Sequence, residues 1–83
     1  MKIRIKLYAL LGKYLPSNAE KNEADVEVAE GTTIVEVLAS LMVPLEECHL
    51  VLVNGVYVAP SERSTQALEE GDALAIWPPV AGG

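Results

Sequence analysis

Cysteine, histidine and cationic side chains are scarce in this 83-residue sequence, and each shortage removes a class of function. Cys48 is the single cysteine, so no internal disulfide can form and no thiolate metal site can be assembled. His49 is the single histidine, and no metal constellation or catalytic dyad is written in the chain. The two residues are adjacent, and neighbours on a strand point to opposite faces, so they are not placed to work as nucleophile and base. Cys48 reads as a small buried residue and His49 as the first residue of a strand. Six Lys and Arg stand against twelve Asp and Glu, a formal net charge of −6. Such a surface repels phosphate backbones and anionic lipid, so neither nucleic acid nor membrane is an expected partner. A basic groove on another protein is. Long apolar runs are missing too. "LYALL" is too short for the core of a signal peptide, and nothing approaches a membrane span, so a cytoplasmic location is expected.

What is present suits one small globular domain. Apolar residues make up 51% of the chain. A domain of this size buries about 60% of the surface its unfolded chain exposes. The opening "MKIRIKLY" alternates, with Ile3, Ile5 and Leu7 on one face and Lys2, Arg4, Lys6 and Tyr8 on the other, which predicts a half-buried strand. "ALLGKYLPSNAEKNE" predicts a short helical turn and then a loop. "ADVEVAEG" alternates again, with Ala24, Val26 and Val28 inward, and closes at Gly31. In "TTIVEVLASLM" the period changes. Ile34, Val37, Leu38 and Leu41 form one helical stripe, Thr33 and Glu36 make a capping box, and Pro44 forbids continuation. "HLVLVNGVYVAP" predicts a hairpin around a type I′ turn at Asn54-Gly55, with Val56 and Val58 inward on its second strand. "SERSTQALEEGD" is a connection anchored by Leu68 and turning at Gly71-Asp72. "ALAIW" is the last strand, with Leu74 and Ile76 inward, and Pro78-Pro79 stop its pairing. One helix on one sheet gives an α+β architecture.

The same parity places Tyr8, Tyr57 and Trp77, three of the four aromatic residues, on the face away from the helix. Tyr and Trp are enriched at interface hot spots, so this face is a candidate docking surface. Alternatively, the rings cover one another, or the sheet coils and buries them. The chain ends "AIWPPVAGG". A terminal Gly-Gly arises by chance in about 0.5% of chains. An ordinary frayed terminus is one reading of it. The other is that the terminal carboxylate is itself the reactive group, carried on a tail that leaves directly from Trp77.

The strand–strand–helix–hairpin–strand order, the "VNG" turn, the "LEEGDALAI" run and the terminal "PPVAGG" resemble the β-grasp, ubiquitin-like sulfur carriers. The resemblance spans the chain and is strongest to the small subunit of molybdopterin synthase. It implies a single domain over residues 1–83, a mixed sheet of about five strands on one helix, and a flexible tail over 78–83. It also implies that an activating enzyme, an E1-like adenylyltransferase and sulfurtransferase, uses ATP to adenylate the carboxylate of Gly83, with Gly82 before it. A sulfur donor then makes the thiocarboxylate. Pro78, Pro79, Val80 and Ala81 would form the arm reaching the partner's active site. Tyr8, Tyr57 and Trp77 would meet the large subunit of the synthase; Trp77 stands where the family more often has Phe. The carrier would bind no cofactor and act as a non-catalytic donor subunit. Within the same resemblance stand a carrier for thiamine or another sulfur-transfer pathway and a ubiquitin-like protein modifier. A plain interaction module with an incidental Gly-Gly end is the remaining alternative.

Overall fold

The computed structural model of the protein describes residues 1–79. Five strands and one helix run in the order β1 (Lys2–Leu7), β2 (Glu23–Glu27), α1 (Ile34–Ser40), β3 (Leu50–Val53), β4 (Val56–Tyr57) and β5 (Ala73–Trp77). Short 3₁₀ turns lie at Ala9–Tyr14, Leu45–Glu47 and Pro60–Glu62. The sheet order is β2-β1-β5-β3-β4. The central β1–β5 pair is parallel, in the register Ile5↔Leu74 and Leu7↔Ile76; the other three pairs are antiparallel. A parallel pair cannot be closed by a tight turn. The whole of the intervening chain, α1 included, makes the crossover. This is the expected β-grasp sheet on one helix.

The inner face follows from the alternation. Ile3, Ile5, Leu7, Val51, Leu74 and Ile76 are each 1% exposed or less, and Ile34, Val37 and Leu38 of α1 cover them. Fully burying a side chain of this kind contributes about 1.5–3 kcal/mol. Leu11 and Leu68 join the same buried cluster. The capping box at the start of α1 is complete. Glu36 N–H donates to Thr33 Oγ1 at 3.2 Å, and Thr33 N–H donates back to Glu36 Oε1 at 2.9 Å. The helix stops before the proline is reached. Met42 N–H donates to the Ala39 carbonyl and Val43 N–H to the Leu38 carbonyl, which is a Schellman ending. Met42 takes the left-handed position (φ 64°) that glycine usually fills. Leu41, expected in the stripe, becomes the C-cap and packs half-buried against the core.

Two turns are tied together. Asn54 and Gly55 have φ of 51° and 82°, the two positive values a type I′ turn requires. The Asn54 carboxamide then accepts from Ala73 N–H (2.9 Å) and donates to Asp72 Oδ1 (2.8 Å). Asp72 Oδ2 accepts from Glu69 N–H. The "VNG" and "EGD" segments are thus one hydrogen-bonded unit.

Some expectations change. Val56 pairs with Val53 and so lies on the inner side, yet it is 67% exposed. Its parity is right, but β4 is a two-residue edge strand and no element covers its tip. Val58, just beyond, is buried as expected. His49 precedes β3 by one residue rather than starting it, with its N–H on the Trp77 carbonyl. Of the expected tail, Val80, Ala81, Gly82 and Gly83 lie outside the described residues.

Candidate functional site

The outer face is assembled by register. Leu50↔Trp77, Leu52↔Ala75 and Leu52↔Tyr57 bring Trp77, Leu50, Leu52, Ala75 and Tyr57 to one side of β5, β3 and β4. Tyr8 follows β1 directly and its N–H donates to the Ile76 carbonyl at 3.1 Å. That bond sets its ring beside Trp77. The two rings stack with centroids 4.4 Å apart and planes 7° from parallel. The structure therefore joins Tyr8 to Trp77 but leaves Tyr57 a strand beyond, with β3 between. Leu50 and Leu52 fill that gap. Tyr57 is 54% exposed, while Tyr8, Trp77, Leu50 and Leu52 are half-buried. So Tyr8 and Trp77 partly shield each other, and the patch as a whole still faces outward, opposite the helix.

Leu50 and Leu52 are members of this patch that the strand pattern does not reveal. "LVLV" is apolar on both faces, so alternation cannot tell inside from outside. The pairing with Trp77 and Tyr57 does.

The rest of the outer face is charged. Arg4 on β1 lies between two carboxylates of β2, Glu23 (Nη1 to Oε1, 3.0 Å) and Asp25 (Nη2 to Oδ1, 3.0 Å). These partners, the Glu23 hydrogen bond foremost, raise the guanidinium pKa further above its usual value.

At the end of β5 the chain passes from Trp77 into half-buried Pro78 and exposed Pro79. Neither proline carries an N–H, so β5 cannot extend its ladder. The patch and the start of the tail therefore share one residue, Trp77.

Cys48 is 6% exposed and donates weakly to the Pro44 carbonyl (3.5 Å). Burial pushes its thiol pKa up, and nearby Arg63 offsets this only in part. It is a core residue with no thiolate to offer, and exposed His49 gives it no base. Among the described residues no group of His, Cys, Asp and Glu could hold a metal ion. Nor is any helix there long and apolar enough to cross a membrane.

Residues 13–83 match the model of the ThiS family. The chain belongs to that family. It is a sulfur carrier of ubiquitin-like fold. Solved structures agree on the fold. SAMP1 from Haloferax volcanii is similar over 100% of both chains, with 26% identity and a TM-score of 0.71. The small archaeal modifier protein 1 (SAMP1) from Methanosarcina acetivorans is similar over 99% of this chain and 96% of that one, with 24% identity and a TM-score of 0.66. A protein–protein complex of subunits 1 and 2 of the molybdopterin-converting factor from Helicobacter pylori contains a chain similar over 100% of both, with 17% identity and a TM-score of 0.61. No curated protein sequence matches the chain.

In this ThiS-family protein the described residues include no cluster of His, Cys, Asp and Glu that could hold a metal ion. What they present is a surface and the root of a tail.

Proposed function

We propose that this ThiS-family protein is the sulfur-donating small subunit of a molybdopterin synthase, with its sulfur carried on Gly83. The observation that carries the reading is the continuity of the apolar patch with the tail. Trp77 both completes the patch and begins the "WPPVAGG" segment. A partner that covers Tyr8, Leu50, Leu52 and Trp77 also meets the residue from which the tail begins. The Helicobacter pylori complex, in which a chain of this fold meets a second subunit, supports a large-subunit partner.

The chemistry suits such a tail. A carboxylate is a poor electrophile until one oxygen becomes a good leaving group. In the proposed sequence an E1-like enzyme joins the Gly83 carboxylate to the α-phosphate of ATP and releases pyrophosphate. A sulfur nucleophile then displaces AMP to leave the thiocarboxylate. Glycine at 82 and 83 puts no Cβ in the way of a narrow channel. Prolines at 78 and 79 restrict the root of the arm and limit the entropy lost on insertion.

Two measurements test this. Intact protein recovered from cells that carry the pathway should be heavier by the replacement of one oxygen with sulfur. Deleting Gly83 should abolish that mass shift and adenylation while leaving thermal stability unchanged. Normal sulfur loading of the truncated chain sinks the proposal. The 26% identity with SAMP1 across both chains favours a second reading, a ubiquitin-like modifier joined to lysines through the same activated glycine. Isopeptide adducts of Gly83 on other proteins, rather than sulfur transfer to a pterin precursor, would select it. Sulfur delivered to a thiazole precursor would select the thiamine pathway.

A further inference from the structure

Arg63 is the one buried charged residue among the described residues, 7% exposed. It sits at the end of the Pro60–Glu62 turn, where its carbonyl accepts from the Val35 N–H of α1 at 3.0 Å. Its side-chain hydrogen bonds all go to main-chain carbonyls: Nε to Val58 (3.0 Å), Nη1 to Cys48 (2.9 Å) and Nη2 to His49 (3.3 Å). The guanidinium reaches these carbonyls from three nitrogens of one rigid planar fork, whereas an ammonium offers its three donors from a single point.

One of those carbonyls matters beyond the loop. The Cys48 carbonyl and the His49 N–H belong to the same peptide group. That N–H donates to the Trp77 carbonyl at 3.0 Å. The Trp77 carbonyl in turn belongs to the Trp77–Pro78 peptide, the first of the tail. A hydrogen-bonded chain thus runs from a buried charge, through one peptide, to the point where the strand becomes the tail. A cation on a peptide's oxygen polarises it and strengthens its N–H as a donor, so such chains are cooperative. With no N–H on Pro78 or Pro79, this bond adds to the Leu50↔Trp77 pairing on the β3 side, as Tyr8 N–H to the Ile76 carbonyl does on the β1 side, in holding the end of β5.

We infer that Arg63 is a positioning residue for the tail: through the Cys48–His49 peptide it holds the Trp77 carbonyl and sets the direction in which the chain leaves the sheet. The hold stands on the geometry alone. Its consequence for sulfur loading rests on the function proposed above.

The test compares the full chain with Arg63→Gln, which removes the charge, and Arg63→Lys, which keeps the charge but loses the fork. Amide hydrogen exchange by NMR reads the hold directly. In the Gln variant, protection of the His49 amide should fall by at least about tenfold, while β1 and β2 amides stay within about twofold. The Lys variant should fall between. Unchanged His49 protection in a folded variant overturns the inference, and so does an equal loss at every amide. If the Gln variant does not fold, the Lys variant decides by the same readings. With the activating enzyme, kcat for adenylation at Gly83 should drop about tenfold to a hundredfold with little change in KM, since the docking face is intact and only the aim of the tail is lost. A raised KM at unchanged kcat would place Arg63 in docking and overturn the positioning role. Failure of the wild-type chain to be adenylated at all would remove the proposed function and leave the exchange result standing.

Discussion

The two halves of the sheet's outer face are built on different principles. On β1 and β2 the outward residues are charged, and Arg4 answers Glu23 and Asp25 at 3.0 Å each. On β5, β3 and β4 the outward residues are Trp77, Ala75, Leu50, Leu52 and Tyr57, with Tyr8 stacked on the first. Both halves have the same pleat and the same solvent above them. The charged half is complete in water, because its groups satisfy one another and the solvent. The apolar half gains from cover, and contiguous apolar surface on a small domain marks an interaction site. The tail leaves from the apolar half, and under the function proposed above that coincidence, more than the aromatic residues by themselves, selects this side as the one a partner covers.

The inner face supplies the scale against which the outer halves are judged. Leu38 is fully buried beneath the sheet in the middle of α1. Leu38→Ala should destabilise the domain by about 2–5 kcal/mol, the range for truncating a buried leucine. Chemical denaturation measures it. A loss below about 0.5 kcal/mol, the level of surface sites, would mean that the covered face is not where the stability lies, and the contrast of inner and outer faces would collapse.

Trp77→Ala separates docking from folding. Trp77 is half-buried and stacks on the ring of Tyr8, which is itself half-buried. Its loss should weaken binding to the large subunit or the activating enzyme by at least about 2 kcal/mol, the scale of an interface hot spot. The stability loss should stay below the roughly 3–5 kcal/mol expected of a buried tryptophan. Titration calorimetry beside chemical denaturation reads both. A large folding loss with unchanged affinity would turn the apolar half into a second core and leave the tail alone to carry the proposed function.

These contrasts were unequally legible in the residues. Elements written by local rules read correctly: Asn54-Gly55 demands its turn wherever it stands, and Thr33 with Glu36 closes its own capping box. Parity likewise put Tyr8, Tyr57 and Trp77 on one face, because the three flanking strands alternate. What depended on distant coverage did not read. Val56 has inward parity but sits at an uncovered edge. Leu50 and Leu52 hide in a run that is apolar on both sides. Arg63 lies in "SERST", which looks like a solvated loop, and its burial is created by carbonyls at positions 48, 49 and 58 that only the folded chain brings to it. The tail's glycines were conspicuous from composition, whereas the residue that anchors the root of the tail left no trace in pattern or period.

The smallest expected effect lies on the charged half. Arg4 is half-exposed, as are Glu23 and Asp25, so water and salt compete for every bond it makes. Exposed ion pairs contribute little to stability, and what they contribute is screened over about 10 Å at 0.1 M salt. The sign with pH on the arginine's side follows from its raised guanidinium pKa: the arginine's contribution is present below its unfolded-state pKa and is lost as pH rises into strong alkali. Arg4→Ala should therefore change thermal stability slightly at low salt and not measurably at high salt, with no pH dependence near neutrality on the arginine's account. Affinity for the large subunit should be unchanged, because the pair lies on the half that the proposed partner does not need to cover. If Arg4→Ala instead weakens binding as much as Trp77→Ala, and raised salt does the same to the wild-type complex, the partner spans both halves of the face. The division of that face into a working side and a solvated side would then have to be given up in favour of one continuous interface, with the acidic carboxylates of β2 meeting a basic surface.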